Sequence, residues 1–406
     1  MRVLLSTWGG RGDVEPMVGL AAKLQARGAE VRVCAPPDED FERRLADVGV
    51  ALTPIGPSAR MLTRMKPGTA SIPDTAKAII AGQFETMPAA AEGCDVVVAT
   101  GALPAAAGAL AVAEKLGIPA ISVTFQQLTL PSPTRRPLAY PGRPLPEGAT
   151  IEEQWAFDRE SIELLFGEAL NANRTANGME PVDDVRAYVV TDRPWVASDP
   201  VLDPWTGDPA LGVVQTGAWI DPDPRPLPPD LLAFLDAGTP PVYVGFGSMA
   251  MHGSEDPAEE AIAAIRAHGR RAVLMSGWAE LAPEEAADDV FVLPEVSHQA
   301  LFPRCATVVH HGGAGTTTAA TRAGTPQIVV PQAADQPYWA SRAAELGVGV
   351  AHDGPVPTSS SLADALAVTL APETRSRATA VGGMVRLDGT AEAARLILDG
   401  AAASRS

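Results

Sequence analysis

Residues 305–324 read CATVVHHGGAGTTTAATRAG. The run CATVV suits a short buried strand, and TTTAATRAG suits a helix that stops at Gly324. Between them stand His310, His311 and the glycines 312, 313 and 315. A glycine turn that opens a helix presents free backbone N–H groups and the positive end of the helix dipole, a setting for an anion. Thr316 and Thr317 would add hydroxyl donors, and a histidine at the strand end a ring N–H. A nucleotide-triphosphate loop would need Gly-Lys-Ser/Thr, and there is no lysine here. Zinc would need a third ligand, and adjacent strand residues point to opposite faces. What remains is a diphosphate held without metal by one of the two histidines. The other is expected to be packed or hydrogen-bonded within the sheet.

The same strand, turn and helix alternation recurs along the chain. MRVLLST, EVRVCA, DVVVAT and PAISVTF read as strands, with helices at VEPMVGLAAKLQARG and PAAAGALAVAEKLG. After residue 240 come PVYVGFGS, RAVLMS, DVFVLP, ATVVHH and PQIVVP as strands, with DPAEEAIAAIRAHG as a helix. Short apolar runs alternating with helices imply parallel sheets covered on both faces. The chain therefore reads as α/β with two halves of similar build. The Pro-, Asp- and Trp-rich stretch 192–230 reads as a linker with a strand or two. The proline-rich stretch 130–148 follows a strand and should hang over the carboxyl edge of its sheet. TAEAARLILDG (390–400) reads as a final helix.

The chain has 406 residues, enough for two domains, and a net charge of −18. That acidity argues against a nucleic-acid partner, and no basic block suggests an anionic membrane. Cys34, Cys94 and Cys305 are too few and scattered for a disulfide frame or a zinc site. MRVLLST lacks the long apolar core of a signal peptide, so a cytoplasmic protein is expected.

A second glycine loop, WGGRGDVEP, spans residues 8–16. A dinucleotide fingerprint would need a third glycine at position 15, where Glu15 stands, and an acid where VCAPP ends the second strand. Asp13 then has two compatible readings. It can cap the helix that begins at Val14, with Pro16 in its first turn. It can also be a general base at the carboxyl edge of the sheet. Asp221 and Asp223 in DPDP have the spacing of a metal-binding pair but lie among linker prolines, so they read as turn residues.

Taken together, GRGDVEP, PPVYVGFGS, EVSHQALF, HHGGAGTTT and PQAADQPYWASR resemble the GT-B nucleotide-sugar glycosyltransferases. Within them the likeness is to the bacterial enzymes that glycosylate antibiotics of the vancomycin and teicoplanin type, and it covers nearly the whole chain. The resemblance implies two Rossmann-like domains facing across a cleft. Residues 1–215 would bind the acceptor, 216–385 the nucleotide sugar, and 386–406 would form a helix packing back on the first domain. It implies Asp13 and His311 as catalytic residues. Arg11, Ser248, His311, Gly313, Ala314, Gly315 and Thr316 would hold the donor diphosphate. Val296 and His298 would lie beside the base, and Asp335 and Gln336 would contact sugar hydroxyls. The implied reaction is an inverting, metal-independent transfer of a hexose from a TDP- or UDP-sugar to a phenolic or sugar hydroxyl of a natural-product aglycone, foremost a glycopeptide antibiotic, by a monomer without cofactor.

The sequence departs from that family at Gly10, where serine is common, and at Trp339, where tyrosine is usual, a change expected to alter the sugar or acceptor pocket. No histidine precedes residue 252, so Asp13 would act without a His partner, which favours a phenol over an alcohol. Residues 130–148 and 58–68 are the expected acceptor walls. Sterol or polyketide glycosyltransferases share HHGGAGT. A non-hydrolysing epimerase would need its acid and base in the nucleotide domain. A silent accessory protein would have little use for Asp13 together with HHGGAGTTT and ADQP.

Overall fold

The computed structural model describes residues 1–64, 71–220, 222, 223, 225–247, 256–277, 281 and 287–403. The chain divides into two compact units. The first comprises Met1–Ser198, Trp205–Asp221 and Leu387–Ser406; the second comprises Asp199–Pro204 and Pro222–Arg386. A short segment of the first half of the sequence thus belongs to the second unit, and the last twenty residues belong to the first.

In the first unit the described strands are β1 (Arg2–Trp8), β2 (Glu30–Ala35), β3 (Leu52–Pro54), β4 (Val96–Gly101), β5 (Ala120–Thr124), β6 (Trp195–Val196) and β7 (Val214–Gln215). They form one parallel sheet in the order β3-β2-β1-β4-β5-β6-β7. Strands covered on both faces need apolar side chains on both, which is why Val3, Leu4, Leu5, Val97 and Val98 are all buried. The stretch read as a linker supplies β6 and β7 to this sheet. Helices Ile72–Ala91 and Leu103–Leu116 pack together in the core. Residues 151–190 form helices Ile151–Ile162, Glu168–Ala176 and Val185–Val190, the first two joined by a π-helical turn at Glu163–Gly167. The final helix, Gly389–Ala403, packs on helix Arg11–Ala26.

The second unit has β8 (Val242–Gly245), β9 (Ala272–Met275), β10 (Val290–Leu293), β11 (Thr307–His310), β12 (Gln327–Val329) and β13 (Gly349–Ala351). Among the described residues these give a six-stranded parallel sheet in the order β10-β9-β8-β11-β12-β13.

Both orders reverse direction once, between β1 and β4 in one sheet and between β8 and β11 in the other. At such a point neighbouring connections leave toward opposite faces and open a crevice at the carboxyl edge, the usual ligand site of an open α/β sheet. The loops after β1 and β4 carry WGGRGD and Gly101–Leu103, and those after β8 and β11 carry GFGS and HHGGAG. The two glycine loops singled out in the sequence therefore each lie at a switch point. Among the described residues no helix is long and apolar enough to cross a membrane.

Candidate active site

The loop after β1 turns directly into helix Arg11–Ala26, whose N-cap is Gly10. The helix thus starts before Val14, and Pro16 lies in its second turn. Asp13 is the third helical residue rather than the cap itself. Its Oδ2 accepts the Gly10 N–H at 2.9 Å, the returning half of a capping box. Glycine at position 9 is required for this arrangement, because a Cβ there would lie 2.0 Å from Asp13 Oδ2. Capping does not bury the carboxylate out of reach, since Asp13 also lines a pocket of about 430 Å³ in the same unit.

That pocket is largely apolar and aromatic. Trp8 comes from the end of β1, Leu103 and Pro104 from the start of helix Leu103–Leu116, and Leu138 and Tyr140 from the proline-rich stretch 130–148. Trp8 is fixed by its indole N–H, which donates to Pro57 C=O at 2.9 Å. Phe166 enters from the π-helical turn and meets Tyr140 edge-on, with ring centroids 5.8 Å apart. Gln126 follows β5, and Arg186 is held by buried Asp158 and by Thr129 C=O. Sequence reasoning reached Asp13 and the 130–148 wall but not Gln126, Phe166 or Arg186. Of the other expected wall, 58–68, residues 65–68 lie outside the described residues and no described side chain of 58–62 lines the pocket.

In the second unit β11 ends at His310, and helix Ala314–Arg322 begins after the cap Gly313. Gly312 takes φ +95°, and a Cβ there would lie 2.6 Å from Val329 Cγ1, so only glycine makes this turn. The two histidines have different surroundings. His310 is fully buried; its Nδ1 accepts the Gly312 N–H at 3.1 Å and its Nε2 lies 2.9 Å from Gln327 Oε1. Acceptance at Nδ1 fixes the proton on Nε2, which donates to Gln327. Burial presses its pKa down to about 3.

His311 is half-buried and stands between two backbones. A Cβ on Gly247 would lie 2.9 Å from its Cε1, and one on Gly313 2.8 Å from its Nε2. Among the described residues its Nδ1 is buried without a hydrogen-bond partner, and burial lowers its pKa to about 4. The ring is therefore neutral. Helix Ala314–Arg322 has no side-chain cap and no acid in its first turn. Its first intrahelical donor is Thr317 N–H to Gly313 C=O, which leaves the N–H groups of Ala314, Gly315 and Thr316 for an anion. The Thr317 hydroxyl, expected as a further donor, is turned back onto Gly313 C=O at 3.0 Å. Ser248 lies outside the described residues. Arg11 opens helix Arg11–Ala26 and so belongs to the first unit, not to the unit that carries this turn.

Val296 is half-buried against the cluster of Leu227, Leu301 and Phe302. His298 stacks on Phe302 with centroids 4.4 Å apart, and its Nε2 lies 3.1 Å from the Tyr243 hydroxyl.

After β12, residues 332–336 form a tight loop into helix Gln336–Glu345. The side-chain oxygen of Gln336 accepts the N–H groups of Gln332 and Ala333 at 2.7 and 3.2 Å. Ala334 is held at φ +56°, a left-handed conformation that costs a non-glycine residue roughly 1 kcal/mol. Asp335 follows, and its Oδ2 accepts the Trp339 indole N–H at 2.7 Å. Trp339 is only 1% exposed. It is an interior residue, and any effect it has on a sugar or acceptor pocket runs through its support of Asp335. Of the Asp221–Asp223 pair, Asp221 lies outside the described residues and Asp223 is bound by Arg225.

Known proteins match both units. Residues 3–130 fit the glycosyltransferase family 28 N-terminal domain, and residues 282–388 the C-terminal domain of erythromycin biosynthesis protein CIII-like proteins. The vancomycin aglycone glucosyltransferase of Amycolatopsis orientalis is 54% identical over 98% of this chain and 97% of its own. The dTDP-epi-vancosaminyltransferase of the same organism is 47% identical over 98% and 97%. The solved structure of the glycotransferase of kitacinnamycin superposes with a TM-score of 0.72 over 98% of both chains, at 21% identity. Two parallel-sheet units with these loops at their switch points make a GT-B fold, and the protein is a glycosyltransferase. It belongs to the family of glycopeptide-antibiotic glycosyltransferases.

Proposed function

We propose that the enzyme transfers a hexose from a thymidine diphosphate sugar to a phenolic hydroxyl of a glycopeptide-antibiotic aglycone, with inversion at the anomeric carbon and without a metal ion. The observation that carries this reading is the uncapped start of helix Ala314–Arg322 beside the neutral His311. Three backbone N–H groups and an imidazole N–H stabilise charge as it develops on the departing diphosphate. In the same reading Ser248 and Arg11 assist the diphosphate, Val296 and His298 lie beside the base, and Asp335 and Gln336 hold sugar hydroxyls. A TDP donor rather than a UDP donor is supported by the dTDP-sugar in the name of one relative.

The acceptor enters the aromatic pocket beside Asp13. Asp13 takes the proton of the acceptor hydroxyl as its oxygen bonds to the anomeric carbon. The bond from that carbon to the diphosphate oxygen breaks on the opposite face, and its electron pair leaves with the nucleoside diphosphate. One displacement inverts the centre. No histidine lies in residues 1–251, so Asp13 acts without an imidazole relay. A lone carboxylate is a weak base and suits a phenol, with a pKa of about 10, better than an alcohol. The aromatic lining and the vancomycin aglycone named for one relative support the same acceptor class.

The test is a mass-spectrometric panel of TDP- and UDP-glucose against glycopeptide aglycones, sterols and flavonoids, with the anomeric configuration of the product read by NMR. Transfer from TDP-glucose to a glycopeptide phenol with inversion is expected. Transfer only to sterols or flavonoids, or with retention, would overturn the reading.

A further inference from the structure

Helix Gln336–Glu345 begins at Asp335, yet the Asp335 carboxylate does not cap it. Instead one oxygen is engaged a full turn on, by the indole of Trp339 at 2.7 Å. A buried indole N–H needs an acceptor, and backbone carbonyls of a helix interior are already used. Here the acceptor is an ionisable side chain at the rim of the loop.

Hydrogen bonds hold the chain on both sides of the pair. On the N-terminal side, Gln336 holds the N–H groups of Gln332 and Ala333, and the Gln332 side chain donates to Pro355 C=O at 2.7 Å. The left-handed Ala334 turns the chain into Asp335. On the helix side, Tyr338 donates its hydroxyl to the buried Asp203, and Arg342 Nε donates to Leu202 C=O at 2.8 Å. Residues 199–204 thus hold the helix from the neighbouring segment of the same unit. Tyr338 and Trp339 meet edge-on at 5.2 Å. The indole is itself interior, 1% exposed and packed against the Tyr338 ring.

We infer that Trp339 is a positioning residue for the sugar half of the donor: its indole N–H locks one oxygen of Asp335, so that the carboxylate meets the sugar hydroxyls in a single orientation. This rests on the reading of Asp335 as a sugar contact. Burial pushes the Asp335 carboxyl up, and the indole hydrogen bond opposes that rise. The same bond that aims the group therefore also favours its charged, acceptor-only form, the form that accepts hydrogen bonds from hydroxyls.

The test separates sugar from nucleotide. Calorimetry gives the affinities for TDP and for TDP-glucose in the wild-type protein, in Trp339→Phe, in Asp335→Asn and in the double variant. A hydrogen bond to a charged group is worth enough that Trp339→Phe should weaken TDP-glucose roughly tenfold. TDP itself should bind within about twofold of wild type, because the diphosphate and base contacts lie elsewhere. In the Asp335→Asn background, Trp339→Phe should add little. If Asp335→Asn loses sugar-dependent affinity and Trp339→Phe does not, the inference fails and the sugar site stands. If neither variant changes the gap between TDP-glucose and TDP, both fail. If Trp339→Phe weakens TDP as much as TDP-glucose, the tryptophan is only a packing residue and the inference fails. Should Trp339→Phe melt too early to assay, 3-benzothienylalanine at position 339 removes the N–H at nearly unchanged volume, and the same comparison decides.

Discussion

His310 accepts the backbone N–H of Gly312 on its Nδ1, two residues along the chain, and through that bond shapes the turn that carries His311. The two neighbouring imidazoles therefore fail differently when removed. His310→Ala leaves Gly312 N–H and Gln327 Oε1 buried and unpaired, a loss of roughly 2–4 kcal/mol that thermal denaturation should register. His311→Ala should melt close to wild type but bind a nucleotide sugar tenfold or more weakly, on the scale of one lost hydrogen bond to a charged group (about 1.5–3 kcal/mol). Equal losses of donor affinity in two well-folded variants would contradict the assignment.

Acid should unfold the protein through these same rings. Burial holds His310 near 3 and His311 near 4, whereas the free side chain titrates at 6.5. Between these values the unfolded chain binds protons that the folded chain refuses, so stability rises with pH. The contribution is complete above 6.5 and is lost as pH falls through that value toward the folded ones. At about pH 5 the loss is on the order of 2 kcal/mol per histidine. Melting temperatures followed from neutral to acidic pH should drop less steeply for His311→Gln than for wild type, and parallel curves would refute the account.

Asp13→Asn keeps the size of the side chain, and its amide oxygen still accepts the Gly10 N–H. Turnover should fall about a hundredfold or more, the usual scale for a lost general base, with melting temperature and TDP affinity little changed. A variant that melts early but turns over normally when folded would leave Asp13 as a helix cap alone, with Asp335 the next candidate for the base.

Turnover should survive EDTA. In the proposed mechanism the helix start, with the N–H of the neutral His311 ring, takes the place that a divalent ion holds in other transferases. Activity abolished by chelation and restored by magnesium would overturn this part of the proposal.

Much of the sheet structure was legible because a strand buried on both faces must be apolar along its whole length, as MRVLL and DVVVA are. The order of strands was not, since pairing β1 with β4 joins segments about ninety residues apart and nothing local encodes it. Residues 151–190 pack helices whose apolar positions are interrupted by Arg186, Asp158 and Arg174, buried as ion pairs, which blurs the periodicity. The glycine loops announced the switch point of each unit because they need glycine for physical reasons. Gln126, Phe166 and Arg186 did not stand out, because each is an ordinary residue brought to the pocket from a distant segment. Trp339 stood out as a departure from the family, but its place in the interior did not. Its spacing of four from Asp335 fits one helical turn, but a side chain's choice between core and cleft is decided by packing partners such as Tyr338 and Asp203.

The assignment of Asp199–Pro204 to the second unit bears on any attempt to build hybrid enzymes from this family. A recombination point near residue 215 would give the Leu202 and Asp203 of one parent to the Arg342 and Tyr338 of another, and the Asp199 carboxylate to a foreign Arg386 N–H. It would also pair one parent's final helix with the other's Arg11–Ala26. Hybrids that graft residues 199–204 together with 222–386, and keep 387–406 with the first unit, preserve every one of these contacts. They are the exchanges expected to yield soluble, assayable chimeras.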